Sequence, residues 1–304
     1  MAELRATLFG RFNIELEGGK IAGMEARKVQ ELLSYLLLFR DHPQSRDYLC
    51  ETFWSEQSPA NSRKHLRQTL WRLQSAMQWA GNSSGLMLRN GNDWIQIQLA
   101  GDFWLDIEEF EKIFHLVKGK MVSELSRHEF SLLEYAAGVY KGDLLEGWYS
   151  DWCFFERERF QTMHLLLLDK LVQFCELHEK YDTGLTYGME ILRQDHSYER
   201  AHRQLMRMYF MTGNRSQALH QYKRCEEALH DELGVGPSEI TKKLYEQIRM
   251  DRFPYPPLTE EKSFGRPEIK PAPVMSAMLD RLDEITKTLN RLEYRIQERS
   301  TPPG

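Results

Sequence analysis

Ser58-Pro59-Ala60-Asn61-Ser62-Arg63-Lys64-His65-Leu66-Arg67-Gln68-Thr69-Leu70-Trp71-Arg72-Leu73-Gln74-Ser75-Ala76-Met77 is the stretch on which the fold of the amino-terminal part turns. Ser58 followed by Pro59 reads as an N-cap hydroxyl and then proline at the first helical position, where the missing N–H costs nothing and the fixed φ suits a helix. At about 100° per residue, Leu66, Leu70, Leu73 and Met77 form one apolar stripe. Lys64, Arg67, Gln68, Trp71, Arg72 and Ser75 fall on the far side. The predicted helix has a core face and a face rich in cations and amides.

The charge distribution points the same way. The chain has 304 residues with 40 Lys plus Arg and 45 Asp plus Glu, so it is not a polybasic tail. Residues 1–98 carry 12 cations and 10 anions, and the remainder is acidic. From Gln57 to Asn92 there is no acidic residue, while Arg63, Lys64, Arg67, Arg72 and Arg89 all lie inside. Such a window creates a local positive field and predicts an anionic neighbour. An ordinary solvated helix lacking Glu is the plain alternative.

Outward from that helix, residues 4–21 alternate, with Leu4, Ala6 and Leu8 on one side, then Phe12, Ile14 and Leu16, up to Gly18-Gly19; they predict short strands. Val29, Leu32, Leu33, Leu36 and Leu37 recur at helical spacing, predicting a helix from about Arg27 to Arg40. A shorter helix covers Arg46 to Trp54, with Ser45 as its cap and Leu49 and Phe53 facing in. After the cationic helix, Leu86–Arg89 and Asn92–Gln98 flank Asn90-Gly91, the pair best suited to the positive φ angles of a type I′ hairpin turn. Strands, three helices and a hairpin are the layout of a winged helix-turn-helix, which sets one helix in the DNA major groove and the hairpin beside it. The expected contacts to double-stranded DNA are Arg63, Lys64, Arg67, Gln68, Trp71, Arg72, Ser75, Arg89 and Asn90. Arg67 and Arg72 suit guanine O6/N7, Gln68 suits adenine N6/N7, and Lys64 suits a phosphate. Trp71 either packs on a sugar or thymine methyl or is covered by a second domain, and the second placement is favoured because an exposed indole usually marks an interface.

Beyond Asp102 the pattern is helical almost throughout. Ile107, Phe110, Ile113, Phe114 and Val117 mark one helix and Phe130, Leu133, Ala137 and Tyr140 the next, followed by Trp148–Arg159 and Phe160–Leu177. Gly184-Leu185 and Ala218-Leu219 lie 34 residues apart, each after a turn, which is the length of a tetratricopeptide helix pair. Six of the eleven prolines fall in residues 252–274, a semi-extended linker. Met275, Met278, Leu282, Ile285, Leu289, Leu292 and Ile296 then follow at alternating spacings of 3 and 4, a heptad seam. Three heptads are marginal alone, so self-association is expected, with docking back on the body as the alternative. The expected organisation is residues 1–100 as a winged-helix domain, 101–251 as a helical-repeat domain, 252–274 as linker and 275–298 as an oligomerisation helix. The expected class is mainly α with a small β part.

These residues resemble the SARP type of bacterial activators, an OmpR-type winged helix followed by a bacterial transcriptional activator domain of tetratricopeptide-like helices. The resemblance spans about Leu4 to Ile248. It is strongest at Glu199-Arg200-Ala201-His202-Arg203-Gln204-Leu205-Met206, Gly213-Asn214-Arg215 with Ala218-Leu219-His220-Gln221-Tyr222, and Glu232-Leu233-Gly234-Val235-Gly236-Pro237-Ser238-Glu239. Tyr140-Lys141-Gly142-Asp143-Leu144-Leu145, Trp152, Glu156-Arg157-Glu158-Arg159 and Leu66–Leu73 match as well. The resemblance implies binding to repeated promoter sites and recruitment of RNA polymerase. In OmpR-type domains the loop before the recognition helix can touch polymerase; here it is Trp54–Ser58, carrying Glu56. Neither a receiver domain nor an ATPase module is apparent, so phosphorylation or ATP switching has no expected seat.

Other function classes fare poorly. Gly81-Asn82-Ser83-Ser84-Gly85 formally fits GxSxG, but a helix precedes it and a hairpin follows, the reverse of a nucleophile elbow. His128-Glu129 and His178-Glu179 lack the second histidine of a zincin, and Gly234-Val235-Gly236-Pro237 reads as a helix stop before a proline-started helix. No enzyme activity, metal or other cofactor is expected. Cys50, Cys153, Cys175 and Cys225 fit neither a disulfide scaffold nor a zinc pattern, and no export signal or 18-residue apolar run is present, so a cytoplasmic location is expected and no membrane association. The alternative function is an interaction scaffold or ligand-sensing adaptor built on the helical array. A third reading overlaps the first: a small molecule or peptide effector held in the groove of that array gates DNA binding.

Overall fold

The computed structural model describes residues 4–79, 86–99 and 103–251, without the side chains of Lys20 and Trp79. The proposed linker, the heptad residues Met278, Leu282, Ile285, Leu289, Leu292 and Ile296, and the GxSxG segment at 81–85 lie outside the described residues.

The alternation at the start becomes β1 (Leu4–Thr7), β2 (Asn13–Leu16) and β3 (Gly19–Lys20), antiparallel neighbours in that order. Leu4, Ala6, Leu8 and Ile14 are buried as the period-two pattern requires. Helix α1 (Arg27–Leu38) follows, then β4 (Gln44–Ser45), α2 (Arg46–Trp54) and α3 (Pro59–Trp79). Ser45 caps α2 by accepting the amide of Tyr48. The hairpin β5 (Leu86–Asn90) and β6 (Trp94–Leu99) pairs with β4 to form a second sheet ordered β4-β6-β5. This is a winged helix-turn-helix.

Periodicity missed β4 and one further strand. Phe103–Leu105 forms β7 and pairs parallel to β1, extending the first sheet to β3-β2-β1-β7. Three residues are too few for an alternation signal, and the partner strand lies about a hundred positions away.

The helical part comprises α4 (Asp106–Val117), a 3-10 turn at Val122–Glu124, α5 (Arg127–Val139), α6 (Asp151–Leu177), α7 (Tyr181–Gln194), α8 (Glu199–Met211), α9 (Arg215–Leu233) and α10 (Glu239–Arg249). The expected pair Trp148–Arg159 and Phe160–Leu177 is a single helix from Asp151, because the charged block inside it is satisfied without a break. Arg159 reaches Glu156 and Glu111 at 2.7 and 2.8 Å, and Arg157 turns back onto loop carbonyls. Gly234, at φ 67°, ends α9 as expected, but Pro237 precedes α10, whose cap is Ser238.

The 34-residue offset reappears in the backbone. Glu179 and Gly213 both take positive φ, 55° and 76°. Lys180 N donates to Cys175 O at 2.8 Å, and Asn214 N donates to Tyr209 O at 2.7 Å, one repeat later. Helices α7 and α9 therefore leave equivalent turns, the geometry of a tetratricopeptide-like repeat. Close packing between its helices uses Gly184 and Gly188: a Cβ at Gly188 would lie 2.7 Å from Leu205 Cδ2.

One continuous apolar core joins the two parts. Phe9, in the turn after β1, sits among Phe110, Tyr140 and Phe160 with ring centroids 5.3, 4.7 and 5.2 Å away. The matched segment Tyr140–Leu145 grips the same turn: Gly10 N donates to Asp143 O, Leu145 N to Leu8 O and Glu146 N to Gly10 O, at 2.9, 2.8 and 2.7 Å. On the other side Trp152 meets Tyr35 and Phe53, and Arg27 lies over Trp148 at 4.3 Å. The segment Tyr140–Leu145 together with Trp152 is thus part of the joint that holds the winged helix. No described helix is long and apolar enough to cross a membrane.

Candidate nucleic-acid interface

The helix-turn-helix is set by local chemistry. Ser62 Oγ donates to Trp54 O at 3.0 Å and to Ser58 O at 3.1 Å, tying the turn to the first residues of α3. Trp54 stacks on His65, and Leu49 and Phe53 are buried beneath. Leu66, Leu70, Leu73 and Met77 are buried as the stripe predicts, which fixes the rotation of α3 about its axis.

That rotation sorts the outward residues. At about 100° per residue, and opposite the centre of the described α3 residues that are buried (Ser62, Leu66, Thr69, Leu70, Leu73, Ala76 and Met77), Lys64 lies straight out, Trp71 and Ser75 about 20° to either side, and Gln68 about 40°. Arg67 and Arg72 sit on opposite shoulders, about 60° and 80° from the centre. Lys64, Arg67, Gln68 and Arg72 are exposed and Ser75 half-buried. Among the described residues no carboxylate pairs with Lys64, Arg67, Arg72 or Arg89. Arg63 is different: it forms a surface ion pair with Asp47 of α2 at 3.1 Å. Such an exposed pair is worth little and opens easily to a stronger anion.

Trp71 corrects the sequence-based expectation. The helical domain does not cover it: its side chain is 68% exposed. The helical domain instead packs against α1, the β1 turn and Phe53, away from the outward face of α3.

The hairpin also departs from expectation. Asn90 pairs with Ile95, and Gly91 N donates to Trp94 O at 2.9 Å, so the turn centres on Asn92-Asp93 rather than Asn90-Gly91. None of residues 90–93 takes positive φ, so no type I′ turn forms at Asn90-Gly91. Gly91 serves another purpose, since a Cβ there would fall 2.4 Å from the Trp94 indole. Arg89 and Asn90 are both exposed but, as successive strand residues, point to opposite faces. Arg89 pairs with Gln96 near the tip.

Arg46 was missed. Its amide donates to Asp93 O at 2.9 Å and its Nε to Gly91 O at 3.3 Å, fastening the wing to the start of α2. The Ser45 cap marks the helix start there, but no local pattern shows that the wing returns to it. Glu56 is exposed in the turn between α2 and α3.

Residues 105–249 match the family described as "Bacterial transcriptional activator domain". The chain is 25% identical over 268 residues to the transcriptional regulatory protein MoaR1 of Mycobacterium tuberculosis, covering 86% of this chain and 84% of that protein. It is 24% identical over 266 residues to the transcriptional regulatory protein EmbR of Mycobacterium bovis, covering 84% of this chain and 65% of EmbR. In fold it is similar to Mycobacterium tuberculosis EmbR, solved in complex with a low-affinity phosphopeptide, with TM-score 0.69 and 17% identity over 84% of this chain and 67% of that one.

Proposed function

From a chain homologous to the SARP-type regulators and carrying a bacterial transcriptional activator domain, we propose that the protein is a sequence-specific DNA-binding transcriptional regulator that activates promoters. The observation that carries this reading is the outward face of α3, where Lys64, Arg67, Gln68, Trp71, Arg72 and Ser75 stand clear of the helical domain with their cations unpaired among the described residues. A helix of 10–12 Å diameter fills a major groove about 12 Å wide, so the centre of that face meets base edges and its shoulders meet the sugar-phosphate walls. Lys64, Gln68, Trp71 and Ser75 then belong to the floor, and Arg67 and Arg72 to the phosphates. Arg63 and Arg89 extend the backbone contacts on either side, while Asn90 lies on the other face of the wing from Arg89 and is left out of them. This division reverses the guanine-reading role that residue type alone suggests for the two arginines.

Glu56 is proposed as a contact to RNA polymerase from the turn ahead of α3. Self-association through the heptads at 275–298 suits a protein that binds repeated sites. The cytoplasm is the proposed location, and the helical array is the proposed seat for any small-molecule or peptide effector.

The test is fluorescence anisotropy of the full chain on fragments of its own upstream region, over stepped salt. Binding that favours particular fragments and falls steeply with salt supports the reading. Equal, negligible binding to every duplex at low salt removes it and leaves an interaction scaffold.

A further inference from the structure

We infer that Trp71 is a specificity-determining residue that reads the 5-methyl group of a thymine in the major groove. The inference rests on the DNA-binding reading of α3 and names what that surface selects.

The geometry supplies the first reason. Trp71 projects about 20° from the outward axis set by the buried residues of the helix, and lies along it between Lys64 and Ser75, so it points at the groove floor rather than a wall. Arg67 and Arg72 hold the shoulders, which leaves phosphate contacts to guanidinium groups and the central position to an indole. Nothing in the described structure packs over it: the side chain is 68% exposed on a face that otherwise carries cations and amides. A large apolar side chain left in water there gains only when something covers it.

The second reason is chemical. The indole has an apolar face and one donor, Nε1–H, and no acceptor. Among the four bases, thymine alone presents a methyl group in the major groove, and that methyl adjoins the O4 acceptor. Thymine therefore matches both parts of the indole. Gln68, one helical turn earlier on the same face, has the paired donor and acceptor that adenine N6 and N7 require. The two side chains together select A·T pairs under the middle of α3.

The test starts from a duplex selected by the full-length protein from random sequence. Each thymine is replaced singly by deoxyuridine, which removes only the methyl, and affinities are measured for the wild type, Trp71→Ala and Trp71→Phe. The wild type is expected to lose about fourfold, the equivalent of one buried methyl group, at one or two central positions of each half-site. Trp71→Ala is expected to weaken on the parent duplex by at least that factor and to ignore the same deoxyuridines, while Trp71→Phe retains part of the response. An unchanged thermal unfolding midpoint for Trp71→Ala shows that the fold is intact. Sequence-specific binding with no methyl-sensitive position, or with the same methyl sensitivity in Trp71→Ala, overturns the inference and leaves the DNA-binding reading standing. Failure of the wild type to bind any duplex overturns both.

Discussion

The carboxylate of Asp106 accepts the backbone amide of Leu8 at 2.7 Å across 98 positions of sequence, with both residues buried. The same oxygen accepts Phe9 N at 2.8 Å, and Oδ1 accepts Ile107 N at 2.7 Å. One side chain thus starts the first helix of the helical domain and finishes the first strand of the winged helix. Buried amides left without an acceptor cost about 1–3 kcal/mol each. Asp106→Ala is expected to destabilise the chain by about 3 kcal/mol or more, measured by urea unfolding.

The same residue sets a pH dependence. Burial pushes the Asp106 carboxyl up to about 6, against the backbone amides that hold it down. A folded value above the unfolded one means that the native state binds the extra proton. The associated stability is complete below about pH 4 and is lost as pH rises through 6. Asp106→Asn removes the titration. Relative to that variant, the wild type should lose up to about 3 kcal/mol between pH 4 and pH 7. A flat difference across that range would show that the carboxyl titrates as in the unfolded chain.

Arg157 is the second hinge pin of the junction. Its guanidinium donates to Leu144 O, Leu145 O and Trp148 O at 3.0, 3.2 and 3.0 Å, holding a loop in which Leu145 adopts φ 52°. That loop supplies the amides that grip Leu8 and Gly10. Hydrogen bonds from a charged group contribute about 1.5–3 kcal/mol, and here they also restrain a left-handed leucine. Arg157→Ala should cost about 2–4 kcal/mol and uncouple the two parts, so that calorimetry resolves two transitions where the wild type shows one.

What the sequence disclosed follows from the range of each interaction. The starts of α2 and α3 were legible because Ser45, Ser58 and Pro59 act on their own neighbours, and the stripe of α3 because periodicity is local. The repeat was legible because Gly184 and Ala218 occupy equivalent places after equivalent turns. The tip of the wing was not, since Gly91 makes room for the Trp94 ring instead of supplying positive φ, a contact that no dipeptide rule contains. Exposure of Trp71 was beyond reach for a related reason: periodicity says that a residue points away from its own core and says nothing of a neighbouring domain. The Asp106 clamp and β7 depend on partners about a hundred residues away.

Packing within the repeat gives a prediction opposite to helix propensity. In an exposed helix, Gly→Ala is stabilising by about 1 kcal/mol. At Gly188 the added Cβ meets Leu205 Cδ2 at 2.7 Å and Cγ at 3.1 Å, with Leu205 itself fully buried. Overpacking of this kind costs about 1–3 kcal/mol. Gly188→Ala should therefore lower the thermal midpoint, and Gly188→Ala combined with Leu205→Val should recover part of the loss. A midpoint raised by the single substitution would mean that α7 and α8 can move apart at little cost.

The division of α3 into shoulders and centre separates two kinds of variant. On the proposed reading, Arg67→Ala and Arg72→Ala each remove one phosphate contact, so affinity should fall on every duplex alike and the slope of log K against log salt should shrink by about one. Gln68→Ala should leave the salt slope unchanged and cost about 1–3 kcal/mol only on duplexes with adenine at its position, relaxing preference there. Anisotropy titrations of the three variants on a selected site and on a scrambled one, at four salt concentrations, distinguish the two behaviours. If Arg67→Ala instead relaxed base preference with the slope intact, its guanidinium would be curling from the shoulder to a guanine edge, and the rotation inferred from the buried stripe would not govern which side chains reach the bases.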